Sequence, residues 1–158
     1  MNYKIDTTVK AQSKFIAEDY FPAIVEFSSE ELNNHFLEFN FKDTDMFELS
    51  VHPKTHALKR FTLTLCNHYE MMETALDYPT CEEGSLFIEG PDSTECNTFL
   101  LQVYNNGMQI KLSDSPVNKN IKSGHLIFSL SVSDELVSVI ISDLSEVELS
   151  HIKRELQA

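Results

Sequence analysis

Apolar and polar residues alternate along most of this chain, and the clearest alternation surrounds a tight-turn signal. Phe99 to Ser113 reads FLLQVYNNGMQIKLS, two alternating runs on either side of Asn106-Gly107. A two-residue type I′ turn needs positive φ at both loop positions, which Asn and Gly tolerate, so the segment predicts a β-hairpin. In that register Val103 faces Ile110, Leu101 faces Leu112, and Asn105 faces Met108. Phe99, Leu101, Val103, Ile110 and Leu112 then share an apolar face, while Leu100, Gln102, Tyr104, Gln109, Lys111 and Ser113 form the wet one.

The same period recurs elsewhere. Ala23 to Phe27 reads as a short strand, and Phe36 to Phe41 as an aromatic-rich one ended by Lys42-Asp43-Thr44-Asp45. Phe47-Leu49-Val51 and Phe61-Leu63-Leu65 mark two more, joined by a polar connector containing Pro53. Ser85 to Ile88 is a further short candidate. Leu126 to Val132 and Val137 to Ile141 predict a second pair, with Val132 opposite Val137, Leu130 opposite Val139 and Phe128 opposite Ile141. The first twenty residues fit neither period, and Asp114 to Ser123 reads as a polar loop.

Helix signals are few. Ser28 and Glu31 have capping-box spacing, as do Ser145 and Glu148, where Leu144 and Leu149 add a hydrophobic staple. The second box predicts a helix from Glu146 to about Leu156, with Leu149, Ile152 and Leu156 as its apolar stripe. Asn67 to Glu73 is read as a possible helical turn. The expected fold is α+β: one domain over residues 1–158, a largely antiparallel β-sheet built of hairpins and packed by a C-terminal α-helix.

Charge changes the picture. The net charge is −13, and residues 61–110 hold eight acids without one Lys or Arg: Glu70, Glu73, Asp77, Glu82, Glu83, Glu89, Asp92 and Glu95. Pro79, Gly84, Gly90 and Pro91 make this stretch read as a loop-rich acidic insert. Such a field repels nucleic acid and attracts basic surfaces, so direct nucleic-acid binding is not expected. Three cysteines, no leader-like start and no long apolar run predict a cytoplasmic chain without disulfides and without a membrane span.

Catalytic chemistry finds little support. Cys66, His68, Cys81 and Cys96 are the best metal-ligand set but lack paired knuckle spacing, and His52-x-x-x-His56 lacks the glutamate of a zincin. There is no nucleophile elbow, P-loop or dinucleotide fingerprint among four glycines. No enzyme activity, metal or cofactor is therefore expected.

Three segments, Val51 to Leu65, Leu101 to Leu112 and Gly124 to Leu156, together resemble immunity proteins of bacterial polymorphic toxins, those of contact-dependent growth inhibition above all. The resemblance implies a small cytoplasmic antitoxin that binds a cognate toxin domain, commonly a nuclease. A basic active-site cleft would be covered by the acidic residues named above, with Tyr69 and Tyr78 as anchors among them. The protein is expected to be a monomer or small homo-oligomer. The competing expectation is a non-enzymatic adaptor or secretion-chaperone-like binding module.

Overall fold

A computed structural model describes residues 1–28 and 33–158, so the Ser28–Glu31 capping box lies outside the described residues. The chain forms fifteen strands and one helix among those residues. The first six strands are β1 (Asn2–Asp6), β2 (Lys14–Phe15), β3 (Ala23–Glu26), β4 (His35–Phe41), β5 (Asp45–Val51) and β6 (Leu58–Leu65). Then come β7 (Tyr69–Met71), β8 (Glu82–Glu83), β9 (Ser85–Glu89) and β10 (Ser93–Glu95). The last are β11 (Leu100–Val103), β12 (Met108–Lys111), β13 (Lys119–Ser123), β14 (Leu126–Leu130), β15 (Leu136–Ile141) and α1 (Glu146–Leu156).

Two mixed sheets turn their apolar faces to a shared core. One runs β10-β4-β5-β6-β3-β2, the other β7-β11-β12-β15-β14-β13-β8, and β1 pairs with β9 as a separate ribbon. Phe47 stacks on Phe39 within the six-stranded sheet at 4.8 Å, and ring contacts join the layers where Phe47 meets Phe99 at 6.3 Å and where Tyr3 of β1 lies T-shaped to Phe128 at 6.1 Å. The predicted core residues Leu101, Val103, Ile110, Leu112, Phe128, Leu130, Val139, Ile141, Leu149 and Ile152 are all buried in it. Alternation marks these faces because every second residue of a strand points the same way.

The C-terminal helix forms as its sequence dictates. Ser145 Oγ accepts the Glu148 amide at 3.2 Å, and Glu148 Oε1 accepts the Ser145 amide at 2.9 Å, so two amides left over by the first turn are satisfied. Leu149, Ile152 and Leu156 are buried. His151, also buried, hydrogen-bonds the Phe21 carbonyl at 3.0 Å and meets the Phe15 ring edge-on, which docks the helix on the segment around β2.

Both predicted hairpins exist, each displaced by two residues. Val103 pairs with Met108 and Leu101 with Ile110, so the first loop is Tyr104 to Gly107 and not Asn106-Gly107 alone. Neither Asn106 nor Gly107 has positive φ. Phe128 pairs with Val139 and Leu126 with Ile141, and the second loop, Ser131 to Glu135, leaves Val132 84% exposed. A shift of two preserves the faces, which is why alternation finds the right core from the wrong partners. The left-handed turn occurs at Lys42-Asp43, with φ 48° and 58°, closed by the Thr44 amide on the Phe41 carbonyl at 3.0 Å.

Three segments differ from what their sequence predicts. Asn67 to Glu73 holds the strand β7 rather than a helical turn, and Asp114 to Ser123 ends in β13 rather than remaining loop. The acidic stretch is not a loop-rich insert, for it contains β7, β8, β9 and β10. Among the described residues the parallel pairings are β7 with β11, β8 with β13, and β10 with β4, each made by a strand of that stretch. Strands of two or three residues are too short to show an alternation, so only their partners make them strands.

Candidate functional site

The turn between β11 and β12 is the anchor of the acidic stretch. Asn105 donates its amide to the Thr74 carbonyl at 3.0 Å and its side-chain nitrogen to the Glu73 carbonyl at 3.1 Å. Asn106 accepts the Leu76 amide on Oδ1 at 2.8 Å and donates from Nδ2 to the Leu76 carbonyl at 3.0 Å, a pairing that mimics a backbone ladder. Gly107 is needed for proximity: a Cβ there would lie 2.6 Å from the Ile141 carbonyl oxygen and 2.6 Å from the Tyr78 hydroxyl. These contacts fix residues 72–81 as a strap across one end of the seven-stranded sheet. It leaves from β7 at one edge and arrives at β8 at the other.

The strap sorts the eight acids into two sets. All eight side chains are exposed. Glu70, Glu73, Asp77, Glu82 and Glu83 follow the strap and its two end strands. Glu89 closes β9, while Asp92 and Glu95 bracket β10 on the edge of the other sheet. Partners differ as well. Glu70 accepts from Gln102 Nε2 at 2.5 Å, Glu83 lies 4.0 Å from Lys122, Glu89 lies 4.0 Å from His56, and Asp92 lies 3.0 Å from His35. Among the described residues no cation pairs with Glu73, Asp77, Glu82 or Glu95, so their charge is presented to solvent. The Lys beside the strap, Lys122, is shared with Asp143 at 3.5 Å.

Tyr69 and Tyr78 are both half-buried. Tyr69 packs against the core from β7, where its strand pairs with Leu101. Tyr78 spends its hydroxyl inside the protein, donating to the Asn106 carbonyl at 2.5 Å and accepting the Asp143 amide at 3.2 Å. It holds the strap down. The Asn105 and Asn106 side chains, which the sequence assigns to a turn alone, are also tethers; a tandem Asn carries no mark that distinguishes the two.

The cysteines lie in three places. Cys66 donates to the His68 carbonyl at 3.7 Å, and burial, aided by the charge of Asp45, pushes its thiol up to about 12. Cys81 is raised by burial near Lys122 and Glu83, and Cys96 is pushed up to about 11 by burial and by Glu95. Thiols held so high stay protonated at neutral pH and are poor nucleophiles and poor ligands. Among the described residues no three His, Cys, Asp or Glu side chains converge on a metal position. His52 Nδ1 accepts the Lys54 and Thr55 amides at 3.1 and 3.2 Å, so it caps its own turn.

His68 has a structural partner. Its Nδ1 lies 2.6 Å from Oδ2 of Asp45, a fully buried carboxylate that also receives Thr44 Oγ1 and the amides of Asn67 and His68. Burial works against the charged form, but these hydrogen bonds outweigh it and hold the Asp45 carboxyl below the usual range. Among the described residues, no helix is long and apolar enough to cross a membrane. The chain matches no protein-family model, and no curated protein matches it.

Proposed function

We propose that the protein neutralises a basic protein partner, as an immunity protein does for a toxin domain of the nuclease type, in the cytoplasm of the cell that makes both. The observation that carries this reading is the strap: Glu73, Asp77 and Glu82 have no cationic partner among the described residues, on a backbone tethered by Asn105, Asn106 and Tyr78. A tethered backbone spares the cost of ordering the main chain on binding, and the carboxylates it carries complement a phosphate-binding cleft in sign. The charge accelerates encounter, and the half-buried residues beside it, Tyr69 and Met72, supply shape against which the wrong basic surface is rejected.

The test compares two charge-neutralising variants in stopped-flow association with a basic nuclease domain recovered with the chain by co-expression and pull-down. Glu73→Gln, Asp77→Asn, Glu82→Gln and Glu83→Gln together should slow association at low salt and flatten its salt dependence. Glu89→Gln with Asp92→Asn should change it less. Unchanged association in the first variant would refute the reading. A partner drawn instead from a secretion apparatus, bound without salt dependence, would make the protein an adaptor or chaperone.

A further inference from the structure

The turn that holds the strap contains a side-chain amide able to react with its own backbone. Of the four glycines in the chain, Gly107 alone follows an asparagine. The fold requires both residues of that pair. A Cβ at Gly107 would meet the Ile141 carbonyl and the Tyr78 hydroxyl, and the Asn106 amide pairs with both backbone groups of Leu76, accepting at 2.8 Å and donating at 3.0 Å. Asn-Gly is also the pair in which the side-chain amide is most open to the next backbone nitrogen, since glycine puts no side chain in the way. The Gly107 nitrogen attacks Cγ of Asn106: the N–Cγ bond forms, the Cγ–Nδ2 bond breaks, and the Gly107 amide proton leaves with Nδ2 as ammonia. Water then opens the cyclic imide. Entry at Cγ gives aspartate, and entry at the main-chain carbonyl carbon gives isoaspartate.

The strap stands against this reaction. Attack turns Cγ from planar to tetrahedral, which redirects the Oδ1 and Nδ2 bonds to Leu76 at once, so the reaction proceeds from the opened strap. The Asn106 carbonyl is held as well, by the Tyr78 hydroxyl at 2.5 Å and the Leu144 amide at 3.2 Å. Either product undoes these bonds. Aspartate puts a carboxylate oxygen where Nδ2 donated, acceptor against the Leu76 carbonyl. Isoaspartate routes the main chain through the side chain, and the carbonyl that held Tyr78 becomes a free carboxylate. We infer that Asn106-Gly107 is a deamidation site guarded by the strap, one that reacts when the strap opens and then keeps it from closing. The inference does not depend on what the strap binds, because it concerns only how the strap is attached.

The experiment incubates the full chain at mildly alkaline pH in heavy-oxygen water and follows aspartate and isoaspartate at position 106 by peptide mapping. Hydrogen exchange at the Leu76 amide is measured on parallel samples, and a synthetic peptide of residues 103–110 gives the unguarded rate. The parent chain should react far more slowly than the peptide. Tyr78→Phe should accelerate deamidation and Leu76 exchange by the same factor, about fivefold or more, since both draw on the population of the open strap. Urea below the unfolding transition should move the two rates together in the parent, which keeps the test available should Tyr78→Phe fail to fold. Asn106→Asp, which reproduces one product, should speed Leu76 exchange relative to the parent. Three results would each overturn the proposal: a parent that reacts as fast as the peptide, Leu76 exchange that rises in Tyr78→Phe or in urea without the deamidation rate, or a Leu76 amide as protected in Asn106→Asp as in the parent.

Discussion

The Tyr78 hydroxyl donates to the Asn106 carbonyl at 2.5 Å while accepting the Asp143 amide at 3.2 Å, so one oxygen joins the strap, the β11–β12 turn and the end of β15. Tyr78→Phe removes both bonds and leaves the ring. It should cost about 1 to 3 kcal/mol in urea unfolding, with faster hydrogen exchange at Asp143 and Leu76. An unchanged exchange rate at both amides would show that the strap does not depend on that oxygen.

Gly107 gives a sharper test of why this turn has its sequence. Its φ is not positive, so a free hairpin would accept alanine there with little penalty. The Ile141 carbonyl and the Tyr78 hydroxyl, each 2.6 Å from where the alanine Cβ would sit, forbid it. Gly107→Ala should therefore destabilise by about 1 to 3 kcal/mol, and combining it with Tyr78→Phe should cost less than the sum of the two.

These two residues also mark how far the sequence can be read. Burial faces, the helix and its cap are legible because each is encoded locally: alternation in the strands, Ser145 with Glu148 in the cap. The register of both hairpins is not, because Asn105 and Asn106 bond residues some thirty positions away and the Ser131–Glu135 loop closes through the Ser131 side chain and a left-handed Asp134. The acids of the candidate site are legible as a count. Their division between strap and far edge depends on the partners of β7, β8 and β10, which two or three residues do not announce.

Acid should weaken the protein through Asp45. Its folded pKa lies below the unfolded carboxyl value of about 3.9, so its stabilising contribution is complete above that value and is lost as pH falls through the lower folded pKa. Asp45→Asn should lose about 1.5 to 3 kcal/mol at neutral pH and show a shallower acid limb in its stability curve than the parent. Equal acid limbs would place the acid sensitivity elsewhere.

Glu48 has the opposite sign. It faces Glu38 directly across β4 and β5, and burial together with that charge raises its pKa. A carboxyl raised on folding costs stability once pH exceeds its unfolded pKa. Glu48→Gln should thus raise the melting temperature at pH 7 and leave it nearly unchanged at pH 3, a pair of thermal scans that a purely packing effect would shift alike.

The two margins of the seven-stranded sheet, Tyr69–Met71 and Glu82–Glu83, are the two ends of one strap. Detaching it strips both flanks together, leaving Leu100–Val103 and Lys119–Ser123 as bare edges able to recruit a foreign strand. A single proteolytic nick at the exposed Thr74 or Ala75 would then do more than open a loop. Light scattering after limited proteolysis there should rise if the cut frees both end strands, and should stay flat if the bonds of Leu76 and Tyr78 to Asn106 still hold the β8 side in place.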